Sequence, residues 1–100
     1  MLTGRNALVT GAGKGIGKAI AMELAANGAF VIVNYNGSKA AAEQTVAEIK
    51  EAGGDAVAYQ CNVADYKACA GMTADLIKSY AHIDILVNNA GIIKRIPMHE

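Results

Sequence analysis

An alternation governs how this chain can fold. Short, nearly continuous apolar runs at Asn6–Thr10, Ala29–Val33, Ala56–Gln60 and Ile83–Val87 are separated by stretches of helical periodicity. A strand that is apolar almost throughout, rather than at every second residue, is one buried on both faces. The run at Ala56–Gln60 is the weakest of the four. Between the runs, three helices are expected. The first covers Lys14–Asn27, with Ile16, Ile20 and Leu24 on one stripe and Gly28 as its stop. The second starts after Ser38 as N-cap and ends near Ala52 before Gly53-Gly54, with Ala42, Val46 and Ile49 facing inward. The third is capped by Asp65 and runs through Tyr80, with Cys69, Met72, Leu76 and Tyr80 on one face. Strand–helix alternation of this kind implies an α/β fold, a parallel sheet covered by helices on both faces. If the sheet is doubly wound, its order is 3-2-1-4 and a crevice opens between strands 1 and 4.

Composition narrows the class. Of 100 residues, 53% are hydrophobic and one is proline, so the chain is not of the disordered type. Nine basic residues balance nine acidic ones with no basic block, which gives no reason to expect nucleic acid or an anionic membrane as partner. Arg5 and Asn6 interrupt the N-terminus, so no secretory leader is expected. No apolar run approaches the roughly 18 residues of a membrane helix. Cys61 and Cys69 lack metal-ligand spacing and have no nearby histidine, so reduced thiols, no metal and a cytoplasmic setting are expected.

The sequence TGAGKGIG, Thr10 to Gly17, joins the first strand to the first helix. Strand, glycines, then helix is an anion-binding arrangement, because unpaired N–H groups and the helix dipole converge there. Gly11 permits the tight turn, Gly15 lets a pyrophosphate approach the backbone, and Gly17 lets the helix pack on the strand. The spacing is G-x-x-x-G-x-G. It is not G-x-G-x-x-G, since Ile16 stands at the third glycine, and it is not a Walker A loop.

Three motifs in order, TGAGKGIG, CNVAD (Cys61–Asp65) and NNAG (Asn88–Gly91), resemble those of the short-chain dehydrogenase/reductase family. The resemblance covers essentially the whole chain and implies the first part of a Rossmann-type domain, with residues 1–100 as its dinucleotide-binding portion. It implies that Gly11, Lys14, Gly15, Ile16 and Gly17 line the pyrophosphate, that Asn62 and Val63 sit against adenine, and that Asn88, Ala90 and Gly91 run beside the ribose near the nicotinamide. The family usually has Asp where Asn62 stands; an Asn carbonyl still accepts a bond from the adenine amino group.

The cofactor expected is NADP(H), with NAD(H) less favoured. An acid at the end of strand 2 would bond the ribose hydroxyls of NAD and repel a 2′-phosphate. Here the strand runs into Asn34-Tyr35-Asn36, and Lys14 stands in the glycine loop. Tyr35 and Lys39 match the family's catalytic Tyr-x-x-x-Lys string, but Gly37 interrupts any helix between them. The string is expected to be a decoy, and no catalytic residue is expected within the chain. The resemblance puts the catalytic Ser, Tyr and Lys on elements after Glu100, together with the substrate loop. It further implies a small-molecule or acyl-thioester substrate and a homo-oligomer or self-association. NYNGSKAAAE and CNVAD are most similar to 3-oxoacyl-acyl-carrier-protein reductases, whereas NNAGIIKRIPMHE resembles gluconate 5-dehydrogenases. The alternative from another class is a non-catalytic nucleotide-binding or interaction module.

Overall fold

In the computed structural model, which describes residues 2–11, 15–62 and 65–87, seven elements alternate without exception. They are β1 Asn6–Val9, α1 Gly15–Ala26, β2 Phe30–Tyr35, α2 Lys39–Glu51, β3 Asp55–Gln60, α3 Tyr66–Tyr80 and β4 Ile85–Val87. The four strands form one parallel sheet in the order β3-β2-β1-β4. The chain therefore moves outward from β1 to β3 and then returns to add β4 on the other side of β1, which makes the β1/β4 boundary the topological switch point.

Alternate residues of β1 and β2 feed two separate cores. Ala7, Val9, Val31 and Val33 pack with Ala21 and Ala25 of α1 and with Ala42 and Ile49 of α2. Leu8 and Ile32 face the other way, against Met72 and Leu76 of α3. The strands are apolar throughout because both of these faces are covered. The expected inward faces of α2 and α3 agree with this packing, with Thr45 of α2 also fully buried and bonded to the Ala41 carbonyl at 3.1 Å.

In α1 the expected stripe is displaced. Gly17, Ala21 and Ala25 are the buried residues, Ile20 and Leu24 only flank them, and Ile16 is 72% exposed. Size explains the displacement: only small residues let a helix axis approach a sheet and a second helix closely. The tightness shows at Gly54, where a Cβ would lie 3.0 Å from Ile49 Cγ2 and 3.2 Å from the Ala25 Cβ.

Helix ends follow capping chemistry. Asp65 accepts from the Lys67 and Ala68 amides at 3.0 and 3.2 Å, as its type predicts at an N-cap. Ser38 holds the equivalent place before α2 but makes no side-chain cap bond. At the far end of α2, Gly54 N–H donates to the Ile49 carbonyl and Gly53 N–H to that of Lys50, a Schellman pair that needs the positive φ of Gly53, +94°. Glu48 bridges α2 to α1 through Lys18 at 3.0 Å. Bonds from Gln44 and Lys18 hold its carboxyl below the ordinary glutamate range.

Candidate functional site

Parallel strands with helical crossovers give the sheet two unlike ends. Helices start at the carboxyl ends of the strands and finish at the amino ends, so partial positive charge gathers at the first and partial negative charge at the second. A concavity of about 340 Å³ is lined by Gly4, Arg5, Phe30, Gly28, Gly53 and Asp55 at the amino ends. Two helix C-termini meet there, which is the wrong polarity for a phosphate. The carboxyl ends at the switch point have the right one.

At that end, β1 gives way to Thr10 and Gly11. The Thr10 amide and hydroxyl both donate to the Val87 carbonyl, at 3.0 and 3.3 Å, so the connections after β1 and β4 start side by side. Sequence reasoning gave Thr10 no role; a buried hydroxyl ahead of the glycines was its only signal. Gly11 has φ +62° and Gly15 φ +65°, conformations that a side chain disfavours. A Cβ on Gly15 would meet no atom within 4 Å among the described residues. Ile16 stands exposed beside it, and Gly17 is buried against the sheet. The first turn of α1 holds no acidic residue, so none of its own side chains offsets its positive end. Left-handed glycine backbone leading into a helix whose first turn holds no acidic residue fits a pyrophosphate.

The outer part of the site lies at the ends of β2 and β3. The second strand runs two residues past its expected end, through Asn34 and Tyr35. Asn34 is only 1% exposed and points toward α3; its amide donates to the Cys61 carbonyl at 3.2 Å, to that of Tyr59 at 3.4 Å and weakly to Met72 Sδ at 3.7 Å. It therefore does not read a ligand. Asn36, exposed, is the first polar residue beyond the strand, and its carbonyl accepts from Gln60 Nε2 at 3.0 Å. That bond fixes the end of β2 against the end of β3. Asn62 follows β3, exposed, with its carbonyl accepting from the Asp65 amide at 3.0 Å. Lys14, Val63, Asn88, Ala90 and Gly91 lie outside the described residues.

Tyr35 and Lys39 do not share a helix. Tyr35 closes β2, while Lys39 opens α2, is largely exposed and lies 3.9 Å from Glu43. The cysteines are both free thiols, Cys61 buried and Cys69 half-buried. Among the described residues no helix is long and apolar enough to cross a membrane.

The model of a family described as short chain dehydrogenase matches residues 5–100. The short-chain dehydrogenase/reductase homolog YusS of Bacillus subtilis is 49% identical over 94 residues, which span 94% of this chain and 86% of that protein. The 3-oxoacyl-[acyl-carrier-protein] reductase FabG of Staphylococcus aureus is 49% identical over 90 residues, 90% of this chain and 37% of the reductase. A short chain dehydrogenase from Burkholderia cenocepacia, whose crystal structure is in complex with NADP, superposes with a TM-score of 0.83 at 44% identity, over 93% of this chain and 38% of that one. The chain thus spans little more than a third of the length of the reductase and of the crystallised dehydrogenase.

Proposed function

This chain belongs to the short-chain dehydrogenase family, and we propose that residues 1–100 form the NADP(H)-binding part of an oxidoreductase that interconverts a carbonyl and an alcohol. The observation that carries the reading lies at the switch point, where left-handed Gly11 and Gly15 lead into a helix whose first turn holds no acidic residue and where, among the described residues, no atom lies within 4 Å of a Cβ placed on Gly15. In this reading Gly11, Lys14, Gly15, Ile16 and Gly17 hold the pyrophosphate. Asn62 and Val63 flank the adenine, and Asn88, Ala90 and Gly91 follow the ribose toward the nicotinamide. When bound, the cofactor supplies or accepts the hydride, while the protein orients it.

The preference for NADP(H) rests on charge. No carboxylate occurs from Asn34 to Asn36, Asn36 is the accessible residue there, and Lys14 belongs to the glycine loop. The NADP complex of the Burkholderia dehydrogenase supports the same choice. For substrate, an acyl thioester of the 3-oxoacyl type ranks first, with support from the FabG relative, and a sugar acid of the gluconate type second. A cytoplasmic homo-oligomer is the expected setting. Calorimetric titration with NADPH and NADH tests the cofactor; tighter binding of NADPH is expected, and equal or tighter NADH binding refutes the charge argument. The 100 residues alone should turn over neither acetoacetyl thioesters nor 5-keto-gluconate. Turnover that Tyr35→Phe abolishes would overturn the decoy reading.

A second reading, a non-catalytic nucleotide-binding module, draws on the match to YusS, which extends over most of that protein's length. NADPH binding without turnover, in a protein whose reading frame supplies no Ser and no helical Tyr-x-x-x-Lys after Glu100, would favour it.

A further inference from the structure

Cys61 and Cys69 bracket the connection from β3 to α3, and neither has a part in the reading above. Both belong to one apolar cluster, with Cys61 inside it and Cys69 packed against it. The Asn34 amide bonds the Cys61 carbonyl and touches Met72 Sδ. Cys69 precedes Met72 by three residues on α3, so the two share a helix face. Helical side chains lean toward the N-terminus, which here is the end joined to Cys61. The Asn62 carbonyl accepts from Asp65 N–H at 3.0 Å, and the Asp65 carbonyl from Cys69 N–H at 2.9 Å. Burial first, and then the nearby Cys69 and Asp65, push the Cys61 thiol above its ordinary value. Among the described residues, no other cysteine competes for either sulfur.

We propose that Cys61 and Cys69 are a modification site, a thiol pair that a peroxide closes to an intramolecular disulfide. Cys69, the more accessible, reacts first. Its thiolate attacks one peroxide oxygen, the O–O bond breaks, and Cys69 becomes a sulfenic acid as one water leaves. Cys61 then gives up its proton and attacks the Cys69 sulfur; the S–S bond forms, the S–O bond breaks and a second water leaves. Two thiols are oxidised and one hydrogen peroxide is reduced to two waters. The ring so closed contains Asn62 and Val63, so the bridge fastens the segment assigned above to adenine. That consequence rests on the NADP(H) reading; the disulfide does not.

The test treats the reduced chain with hydrogen peroxide and maps its peptides without reductant. The expected result is loss of both free thiols, a Cys61–Cys69 cross-linked peptide, an unchanged monomer mass class on non-reducing electrophoresis, and reversal by dithiothreitol. Cys61→Ser should leave Cys69 to proceed to sulfinic acid, which dithiothreitol does not reverse. Oxidation of Cys69 alone in the unaltered chain, or disulfides only between chains, overturns the proposal. Titration with NADPH before and after oxidation separates the two claims. A lower affinity after oxidation supports the coupling, and an unchanged affinity with the bridge present overturns it. Failure to bind NADPH in either state counts against the cofactor reading and leaves the peptide map to decide the disulfide.

Discussion

Placing an acid at the end of β2 is the obvious way to try to turn an NADP(H) site toward NAD(H), and the structure gives opposite outcomes for two neighbouring positions. Asn34 is buried, with its amide aimed at two carbonyl oxygens and a thioether. Asn34→Asp replaces the donor by a carboxylate facing acceptors. Burial without a donor raises the folded-state pKa above the unfolded value of about 3.9. The destabilisation is absent below that value, grows as pH rises toward the folded-state pKa, and is constant above it. A rise of about two to three units costs roughly 3–4 kcal/mol at neutral pH, at about 1.4 kcal/mol per unit. Asn34→Ala lacks the charge. It leaves the Cys61 carbonyl without its side-chain donor, about 1–3 kcal/mol, and a small cavity, on the order of 1 kcal/mol, with little dependence on pH. Asn36→Asp, at an exposed position, should leave stability within about 0.5 kcal/mol. It should instead weaken NADPH roughly tenfold, since a carboxylate about 6 Å from a doubly charged phosphate costs about 1.4 kcal/mol even at water's dielectric constant. Urea unfolding followed by circular dichroism, at neutral pH and near pH 4, with NADPH titration of each variant, reads all three. An Asn34→Asp chain as stable as the original at neutral pH, or one whose deficit does not shrink in acid, would falsify the buried-donor account.

Other outcomes follow from the same geometry. Lys14→Ala should weaken NADPH more than NADH by about 1–2 kcal/mol, one charge-assisted contact, as read by calorimetry. Gly15→Ala should cost about 1 kcal/mol of stability through its positive φ, and fluorescence titration of NADPH should show a larger loss of affinity, because the added methyl occupies the open space at the helix start. Asp84 accepts the Asn6 amide at 2.9 Å, and that bond, with His82 and Arg5 nearby, holds its carboxyl below the ordinary aspartate value. A lowered acid pKa stabilises the fold above the unfolded-state value and stops doing so as pH falls through the folded one; Asp84→Asn should therefore be less stable at neutral pH and converge with the unaltered chain in acid melts.

The sheet was legible because its strands are apolar on consecutive residues, which is the mark of burial on both faces, and because recognisable residues such as Asp65 and Gly28 mark a helix start and a helix end. What misled was ranking by hydrophobicity where volume decides. Ile16, Ile20 and Leu24 are the more apolar stripe of α1, yet the contact with the sheet belongs to Gly17, Ala21 and Ala25. Asn34 misled for the opposite reason. A polar residue after Val33 reads as the end of a strand, but a buried amide with carbonyl partners continues the ladder, and those partners, Tyr59 of β3 and Cys61 just after it, are 25 and 27 residues away. The bond from Gln60 to the Asn36 carbonyl was hidden likewise, since it depends on the register of β2 against β3.

The site itself was legible where backbone conformation restricts residue type. Gly11 and Gly15 occupy positive φ, so glycine there reports geometry directly. Asn62 carries no such restriction: its assignment to adenine depends on the resemblance and on its position just after β3. Which end of the sheet holds the ligand follows from neither glycine nor pocket size. Parallel strands joined by helices direct every helix start to the carboxyl ends, and Thr10, bonded twice to the Val87 carbonyl, ties the carboxyl ends of β1 and β4 together. The hollow at the amino ends collects helix C-termini, at Gly28 and Gly53, and so offers negative rather than positive ends to an anion. Polarity of the crossovers, fixed once the alternation fixes the sheet, favours the carboxyl ends for the proposed pyrophosphate site.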